Sequence, residues 1–444
     1  MIPDTHFFYN FKRCKQDNLD RNKIIMPKIT RNMTLSKFLF LLRNTCLVCL
    51  VVISLFACSE EDDITSLPDD IILPVDPGDY LVECTVLGEV PAFTIKLTAQ
   101  LAGYPQFNDY MRYSIKLYRI IYRTTYKGQP ILASGIISYP SGISDSIPTM
   151  IVGNGLIFAD EDAPSEFDLP NNFTGFEFIA SMGYLTVIPD MIGFGISRDL
   201  MFPIHNYEHS ASTMIDLIYA SEEFIMAKRL PATRKKFLTG YSQGGYIALA
   251  TLKMIEENAV PGIAIEATAV GAGGFNLVNL LNYSLARNSY SAPSHLAMLL
   301  SSYNIMYDWG RPLSDFFQEP YASKIPALLD GTFDRQEIDQ QLAYSFDSLL
   351  NPDFLYGLKN NEESDLIHAL GENNVDNWRP ESRLLIIHSL QDERIPISDS
   401  EETFNKMISN GSESVSFVTI DTKGHFDSGL AFIEIVLQWF NSLN

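Results

Sequence analysis

The stretch KKFLTGYSQGGYIALATLKM, residues 235–254, decides the fold. Its first seven residues, Lys235–Tyr241, read as a buried strand, and from Gln243 onward the apolar spacing turns helical. Ser242 stands at the junction, inside Gly240-Tyr241-Ser242-Gln243-Gly244. The pattern G-x-S-x-G recurs by chance, so a glycine-rich loop with a solvent-facing serine is the plain alternative. A strand that turns sharply into a helix would instead lift the hydroxyl above a sheet edge. Glycines beside it would remove side chains that collide in so tight a turn.

Working outward, apolar runs alternate with amphipathic helical patterns. SIKLYRIIYRTTY and PILASGIISYP read as neighbouring strands joined through Lys127-Gly128-Gln129. PTMIVGN, YLTVIPD, KKFLTGY, IAIEATAVGAG, RLLIIHS and SVSFVTI read as further strands. Helical spacing is predicted over 173–182, 207–228, 243–258, 398–409 and 427–441. Such alternation implies an α/β fold: a mainly parallel, doubly wound sheet covered on both faces. From about 275 to 378 the rhythm breaks into helical, aromatic-rich sequence, predicted to be a helical cap inserted over the carboxyl edge. Tyr303, Tyr307, Trp309, Phe316 and Phe317 either line a pocket there or form the cap's own core.

The 444 residues are 46% hydrophobic and carry a formal net charge of −22. Residues 1–57 hold nine Lys/Arg against three Asp/Glu, so the rest of the chain has 23 against 51, a net of −28. A surface this acidic repels phosphate backbones and argues against nucleic-acid partners. Within that basic end lies a signal-like segment, KFLFLLRNTCLVCLVVISLFACSEEDD, residues 37–63. Its apolar stretch Cys46–Ala57 is too short to span a bilayer. LFAC resembles a bacterial lipobox, which would make Cys58 a lipidated first residue; a plain secretory signal with an incidental cysteine is the alternative.

Residues 1–57 are therefore predicted to be an N-terminal extension and lipoprotein signal peptide, and 58–79 an acidic tether to a domain spanning 80–444. The expected location is outside the cytoplasm, lipid-anchored to the bacterial cell envelope at the outer membrane. SEEDD after Cys58 is either a signal for surface exposure or a solvated linker. Of five cysteines only Cys84 would then remain as a free thiol, and no intrachain disulfide could form. No Cys/His spacing suggests a metal.

A serine hydroxyl is a weak nucleophile and needs a base beside it. Of seven histidines only His425, in DTKGHFDSG, falls on a loop between the last strand and the last helix. Asp392 follows strand RLLIIHS and could orient that imidazole; Glu393 is its rival, while Asp421 and Asp427 lie too near His425 in sequence. Two backbone donors must hold an oxyanion. The N–H of Gln243 is one, and Leu156, after Asn154-Gly155, is the predicted other.

Those residues resemble the α/β-hydrolases, specifically the secretory-lipase-like esterases, over roughly residues 115–444. The resemblance rests on GYSQGG, GYLTVIPDMIGFGIS, WRPESRLLIIHSLQDERIP, the loop ending DAPSE, and GHF. It implies cleavage of a small-molecule or lipid ester by a Ser242–Asp392–His425 triad through an acyl-enzyme, without metal or organic cofactor. Where such enzymes commonly carry His-Gly after the oxyanion strand, this chain has Asn154-Gly155, which keeps the backbone donors but changes the loop. Two readings compete. One is a proline-iminopeptidase-like peptidase, for which Glu362, Glu363 and Asp365 are candidate amine anchors. The other is a non-catalytic surface binding lipoprotein.

Overall fold

A nine-stranded sheet runs through the protein in the order β1-β2-β3-β5-β4-β6-β7-β8-β9. The computed structural model describes residues 79–443, apart from 170–171, 288–289 and 291. The signal segment, Cys58 and all but Asp79 of the acidic tether lie outside the described residues.

The strands are β1 (Leu81–Val90), β2 (Ile115–Tyr126), β3 (Gln129–Pro140), β4 (Ile147–Gly153), β5 (Leu185–Pro189), β6 (Ala232–Tyr241), β7 (Ala267–Gly271), β8 (Arg383–Gln391) and β9 (Val415–Lys423). The first three pair antiparallel, as do β3 and β5; every other neighbouring pair is parallel. The β2–β3 hairpin closes at Lys127 and Gly128, with φ of 49° and 72°, the left-handed values a two-residue turn between twisted strands requires.

Helices α1 (Ala92–Leu101), α2 (Tyr207–Lys228) and α3 (Gln243–Glu257) precede β7. Between β7 and β8 come α4 (Leu277–Arg287), α5 (Pro293–Met306), α6 (Tyr321–Leu328), α7 (Arg335–Asp339), α8 (Phe346–Leu349), α9 (Pro352–Lys359) and α10 (Ser364–Glu372). After β8 follow α11 (Ile397–Ser409) and α12 (His425–Ser442). One sheet face packs Ile151, Leu238, Val270 and Ile386 against α2, α3 and α11. The opposite face packs Val152, Phe237, Ala269 and Ile387 against α1 and α12. Strands buried on both sides explain why their sequences read as continuous apolar runs.

Three details differ from the predicted elements. Segment 173–182 forms a 3₁₀ helix, Phe176–Met182, bounded by Gly175 and Gly183 at φ 91° and 101°. Its seven residues between two left-handed breaks are too few for a settled α-helix. The last helix begins at His425 itself, so that residue opens a helix instead of preceding one. Strand β1 and helix α1 were not anticipated. Register shifts at Leu81/Glu83 and Val86/Gly88 break the alternation of β1, which is an edge strand.

The 277–372 segment is helical and contributes no strand to the sheet. Its ends meet where Val375 N–H donates to Phe275 O at 3.0 Å. Buried Asp399 of α11 accepts the N–H groups of Phe275 and Asn276 at 2.8 and 2.9 Å, and burial pushes its carboxyl up to about 6. Tyr303, Phe316 and Phe317 are fully buried, and with Tyr307 and Trp309 they pack on one another as this segment's own core.

Helix α3 sits so close to the sheet that side chains are excluded. A Cβ on Gly240 would lie 2.0 Å from Gly244 O, and one on Gly244 would lie 2.1 Å from Gly153 O. Gly371, exposed near the end of α10, would meet nothing within 4 Å. Gly240→Ala should therefore destabilise the fold by about 1–3 kcal/mol or more through forced backbone shifts. Gly371→Ala should stabilise it by roughly 0.5–1 kcal/mol through helix propensity. Urea unfolding of both variants checks the opposite signs.

Candidate active site

Ser242 links β6 to α3 with φ 56° and ψ −130°, a conformation that non-glycine residues rarely adopt. Its N–H donates to Gly271 O at 2.8 Å, while its carbonyl accepts the N–H groups of Gly245 and Tyr246 at 2.8 and 3.2 Å. These bonds on both sides of the peptide hold the strained turn, and the side chain stays only half-buried.

His425 Nε2 lies 2.8 Å from Ser242 Oγ, and His425 Nδ1 lies 2.7 Å from Asp392 Oδ2. The three residues come from three separate chain segments, so their convergence is a property of the fold alone. Each is fixed independently. Asp392 Oδ1 accepts the N–H groups of Arg394 and Ile395 at 2.9 and 3.0 Å. The carbonyl of His425 accepts from Tyr241 Oη at 2.6 Å, and its N–H donates to Glu393 Oε2 at 2.9 Å. Asp392 and Glu393, left as rivals by sequence, thus hold different atoms of one histidine. Asp392 meets the ring, and Glu393 meets the backbone.

His388, inside β8, is a neighbour that the linear pattern did not reveal. Its Nδ1 lies 2.7 Å from Ser400 Oγ, and its Nε2 lies 3.1 Å from Ile395 O and 3.5 Å from Asp392 Oδ2. Burial raises the Asp392 carboxyl, but the charges and hydrogen bonds of His425 and His388 more than offset it and hold the group well below the usual carboxylate range. In this setting Asp392 is an anion at neutral pH, able to fix a protonated Nδ1 and to stabilise an imidazolium.

Gln243 is the first residue of α3, where helical N–H groups lack an intrahelical acceptor. Among the described residues, neither the Gln243 nor the Leu156 N–H has an intramolecular acceptor. Leu156 and Gly155 line a cavity of about 560 Å³ that also reaches Ser242 and His425. Fully buried Asn154 precedes them, beside the Gly153–Gly244 backbone contact.

The cavity walls include Tyr283, Tyr290, Tyr344 and Phe426, with Arg287, Arg335, Arg394, Glu393 and His295. None of Tyr303, Tyr307, Trp309, Phe316 or Phe317 lines it. Burial holds His295 well below the ordinary imidazole range, and the positive charges of Arg394 and Arg335 push it further. Glu393 was already a candidate, and Phe426 and Arg394 lie next to named residues, but Tyr283, Arg287, Tyr290, His295, Arg335 and Tyr344 were missed because they are scattered along the chain. Glu362, Glu363 and Asp365 do not line the cavity, and Glu363 is bound by Arg311 Nη1 at 2.7 Å. Among the described residues, no group of three or more His, Cys, Asp or Glu could hold a metal ion.

The PDMIGFGIS turn (residues 189–197) serves the scaffold. Buried Asp190 accepts from Ser134 Oγ and Ser165 Oγ at 2.5 Å and from Ser165 N–H at 2.7 Å. Gly195, at φ 57°, leaves room for that carboxylate, since a Cβ there would lie 2.1 Å from Asp190 Oδ2. Asp190 thereby ties the end of β5 to β3 and to the loop after β4.

A depressed carboxyl contributes stability above its unfolded range, about pH 4, and that contribution is lost as pH falls toward the folded value. Asp392→Asn should therefore be less stable than the parent at pH 7, with the gap closing as pH drops below about 4. Urea midpoints measured from pH 3 to pH 7 test this; a gap that stays constant across the range would refute it.

Residues 177–442, well over half of the chain, match the family described as secretory lipase. No curated protein matches the chain. Solved structures do. A Legionella pneumophila protein is 22% identical, with a TM-score of 0.72 over 82% of this chain and 98% of its own. The rice cell wall degrading esterase LipA from Xanthomonas oryzae is 23% identical, with a TM-score of 0.67 over 80% and 95%. Candida antarctica lipase A in its closed state is 15% identical, with a TM-score of 0.56 over 77% of each chain. At these identities the structural likeness establishes the α/β-hydrolase fold.

Proposed function

The chain belongs to the secretory lipase family, a membership that supports ester hydrolysis, and from that premise we infer that it cleaves carboxylic esters through an acyl-enzyme on Ser242. The observation that carries this reading is the continuous Ser242–His425–Asp392 hydrogen-bond chain, at 2.8 and 2.7 Å, opening onto one cavity.

In this mechanism Ser242 Oγ attacks the ester carbonyl as His425 Nε2 takes its proton. Asp392 stays ionised and holds the Nδ1–H, so the imidazolium forms in a fixed orientation. The carbonyl oxygen becomes an anion held by the N–H groups of Gln243 and Leu156, aided by the positive end of the α3 dipole. Collapse breaks the ester C–O bond, and His425 gives its proton to the departing alcohol. Water then attacks the acyl-enzyme while His425 takes a proton from it, and the acid leaves as Ser242 is re-protonated.

The helical 277–372 segment acts as a cap in this reading, since Tyr283, Tyr290, Ala292, His295 and Tyr344 bring it to the cavity wall. A peptidase reading finds less support, because its candidate amine anchors Glu362, Glu363 and Asp365 lie away from the cavity. The secretory family and the segment 37–63 favour export, and the LFAC sequence favours lipid anchoring of the protein through Cys58 at the outer membrane. The membrane would then be met through the lipid. Among the described residues no helix is long and apolar enough to cross it.

The purified protein should label with a fluorophosphonate at Ser242 and hydrolyse a p-nitrophenyl acyl ester series. Ser242→Ala should abolish labelling and lower kcat by about 10⁴-fold or more. A folded parent that neither labels nor turns over any ester would sink the reading. Turnover of aminoacyl amides in preference to esters would favour the peptidase.

A further inference from the structure

Ionisable residues at the cavity wall run against the character of the chain. Beyond residue 57 the chain has 51 acidic side chains and 23 basic ones, yet the described lining contains Arg287, Arg335 and Arg394 against Glu393 alone. The arginines come from α4, from α7 and from the loop after β8, so no single basic run explains the reversal.

Two of these guanidinium groups crowd one ring. Arg394 stands 4.5 Å and Arg335 5.5 Å from the centroid of Phe426, the residue after the histidine of the hydrogen-bond chain. Both side chains are largely buried, at 9% and 4% exposure. Like charges this close, away from water, are unfavourable unless anions face them. Asp339 faces Arg335 at 3.1 Å and is equally buried. Arg394 is faced by Glu393 at 3.7 Å, a half-exposed carboxylate whose other oxygen already serves the His425 N–H. The Arg287 guanidinium carbon lies over the Tyr283 ring, 4.3 Å from its centroid, and Arg287 Nη1 donates to Glu393 O at 3.5 Å. Three guanidinium groups thus meet the carboxylates of Glu393 and Asp339, the latter acting on Arg394 as well as on Arg335, beside the cavity and a few residues from the reacting atoms. An apolar acyl chain gains nothing from such a wall. A carboxylate matches it, because a guanidinium fork binds both oxygens at once.

We propose that the preferred substrates are esters that carry a free carboxylate on the acyl or the alcohol side, bound by Arg394 and Arg287 while Ser242 and His425 act on the ester bond. The inference rests on the serine-hydrolase reading above and adds the substrate class. Tyr283, Tyr290, Tyr344 and Phe426 supply apolar surface for the carbon body between the two ends. Arg335, neutralised by Asp339, shapes the wall and holds the Phe426 ring.

Matched pairs of esters test it. On the acyl side, p-nitrophenyl hydrogen glutarate is compared with p-nitrophenyl methyl glutarate. On the alcohol side, 4-acetoxybenzoate is compared with its methyl ester. The parent should favour the charged member of at least one pair by roughly tenfold in kcat/KM, mainly through KM, with the preference shrinking as salt rises. Arg394→Gln and Arg287→Gln should each lower the charged-to-neutral ratio, and Arg394→Lys should retain part of it. Thermal unfolding of each variant verifies that it is folded. Hydrolysis of the neutral esters with no charged preference in either pair would overturn this proposal and leave the hydrolase reading standing. A charged preference that all three variants keep would overturn the assignment of the arginines. Failure to hydrolyse any member, with no fluorophosphonate labelling, would overturn both.

Discussion

The backbone of α3 rests directly on the backbone of the sheet, and the rest of the structure depends on that contact. Gly240, Gly244 and Gly153 meet with no side chain between them, and a Cβ on Gly245 would lie 2.6 Å from Gly271 O. Interposing even one methyl group would push the helix away from β4, β6 and β7 together. At the present separation the chain has no room to pass gradually from strand to helix, and Ser242 takes up the whole change of direction at φ 56°. Strain of this kind persists only where surrounding bonds over-determine it. Here Gly271 O and the first turn of α3 supply those bonds. The same contact sets the loop of Asn154, Gly155 and Leu156 beside the helix start, so the hydroxyl and the open N–H groups are positioned by one packing decision.

The polar half of the site is built differently, from groups that hold one another across loops. Asp392, Glu393 and Arg394 are consecutive, yet they face His425 Nδ1, His425 N–H and the Phe426 ring respectively. A single turn after β8 therefore locks three features of the segment that opens α12. His388 and Ser400 support that turn from beneath, and Ser389 Oγ donates to Thr422 O at 2.6 Å to tie β8 to β9 at the same level. Every carrier has a bond that does not pass through the reacting atoms, which is how geometry survives the loss or gain of a proton.

Much of this was legible in the sequence, and the reasons are specific. Strands β2 to β9 announced themselves because both faces of the sheet are covered, which leaves apolar runs bounded by turns. Ser242, Asp392 and His425 could be nominated because each stands at a carboxyl end of a readable strand. Strand β1 stayed hidden because its two register shifts scramble the alternation, and α1 because AFTIKLTAQL has no acidic or basic cap signal at either end. The start of α12 at His425 was invisible because Gly424, at φ 82°, ends the strand and opens the helix in one step. The arginine-lined wall could not be read at all. Arg287, Arg335 and Arg394 are separated by 48 and 59 residues, and only the tertiary fold makes them neighbours.

The order of these pieces along the chain has a consequence in time. The strained serine belongs to the middle of the sheet, whereas the imidazole that would activate it opens the final helix, 183 positions later. On the proposed mechanism, a chain still emerging from a ribosome, or threading through a translocation channel, carries Ser242 without its base. Strand β9 and helix α12 must add to the sheet before the hydroxyl has a proton acceptor. On that mechanism reactivity is the last property the molecule acquires, and an unfinished copy passes inertly through whatever compartments it crosses.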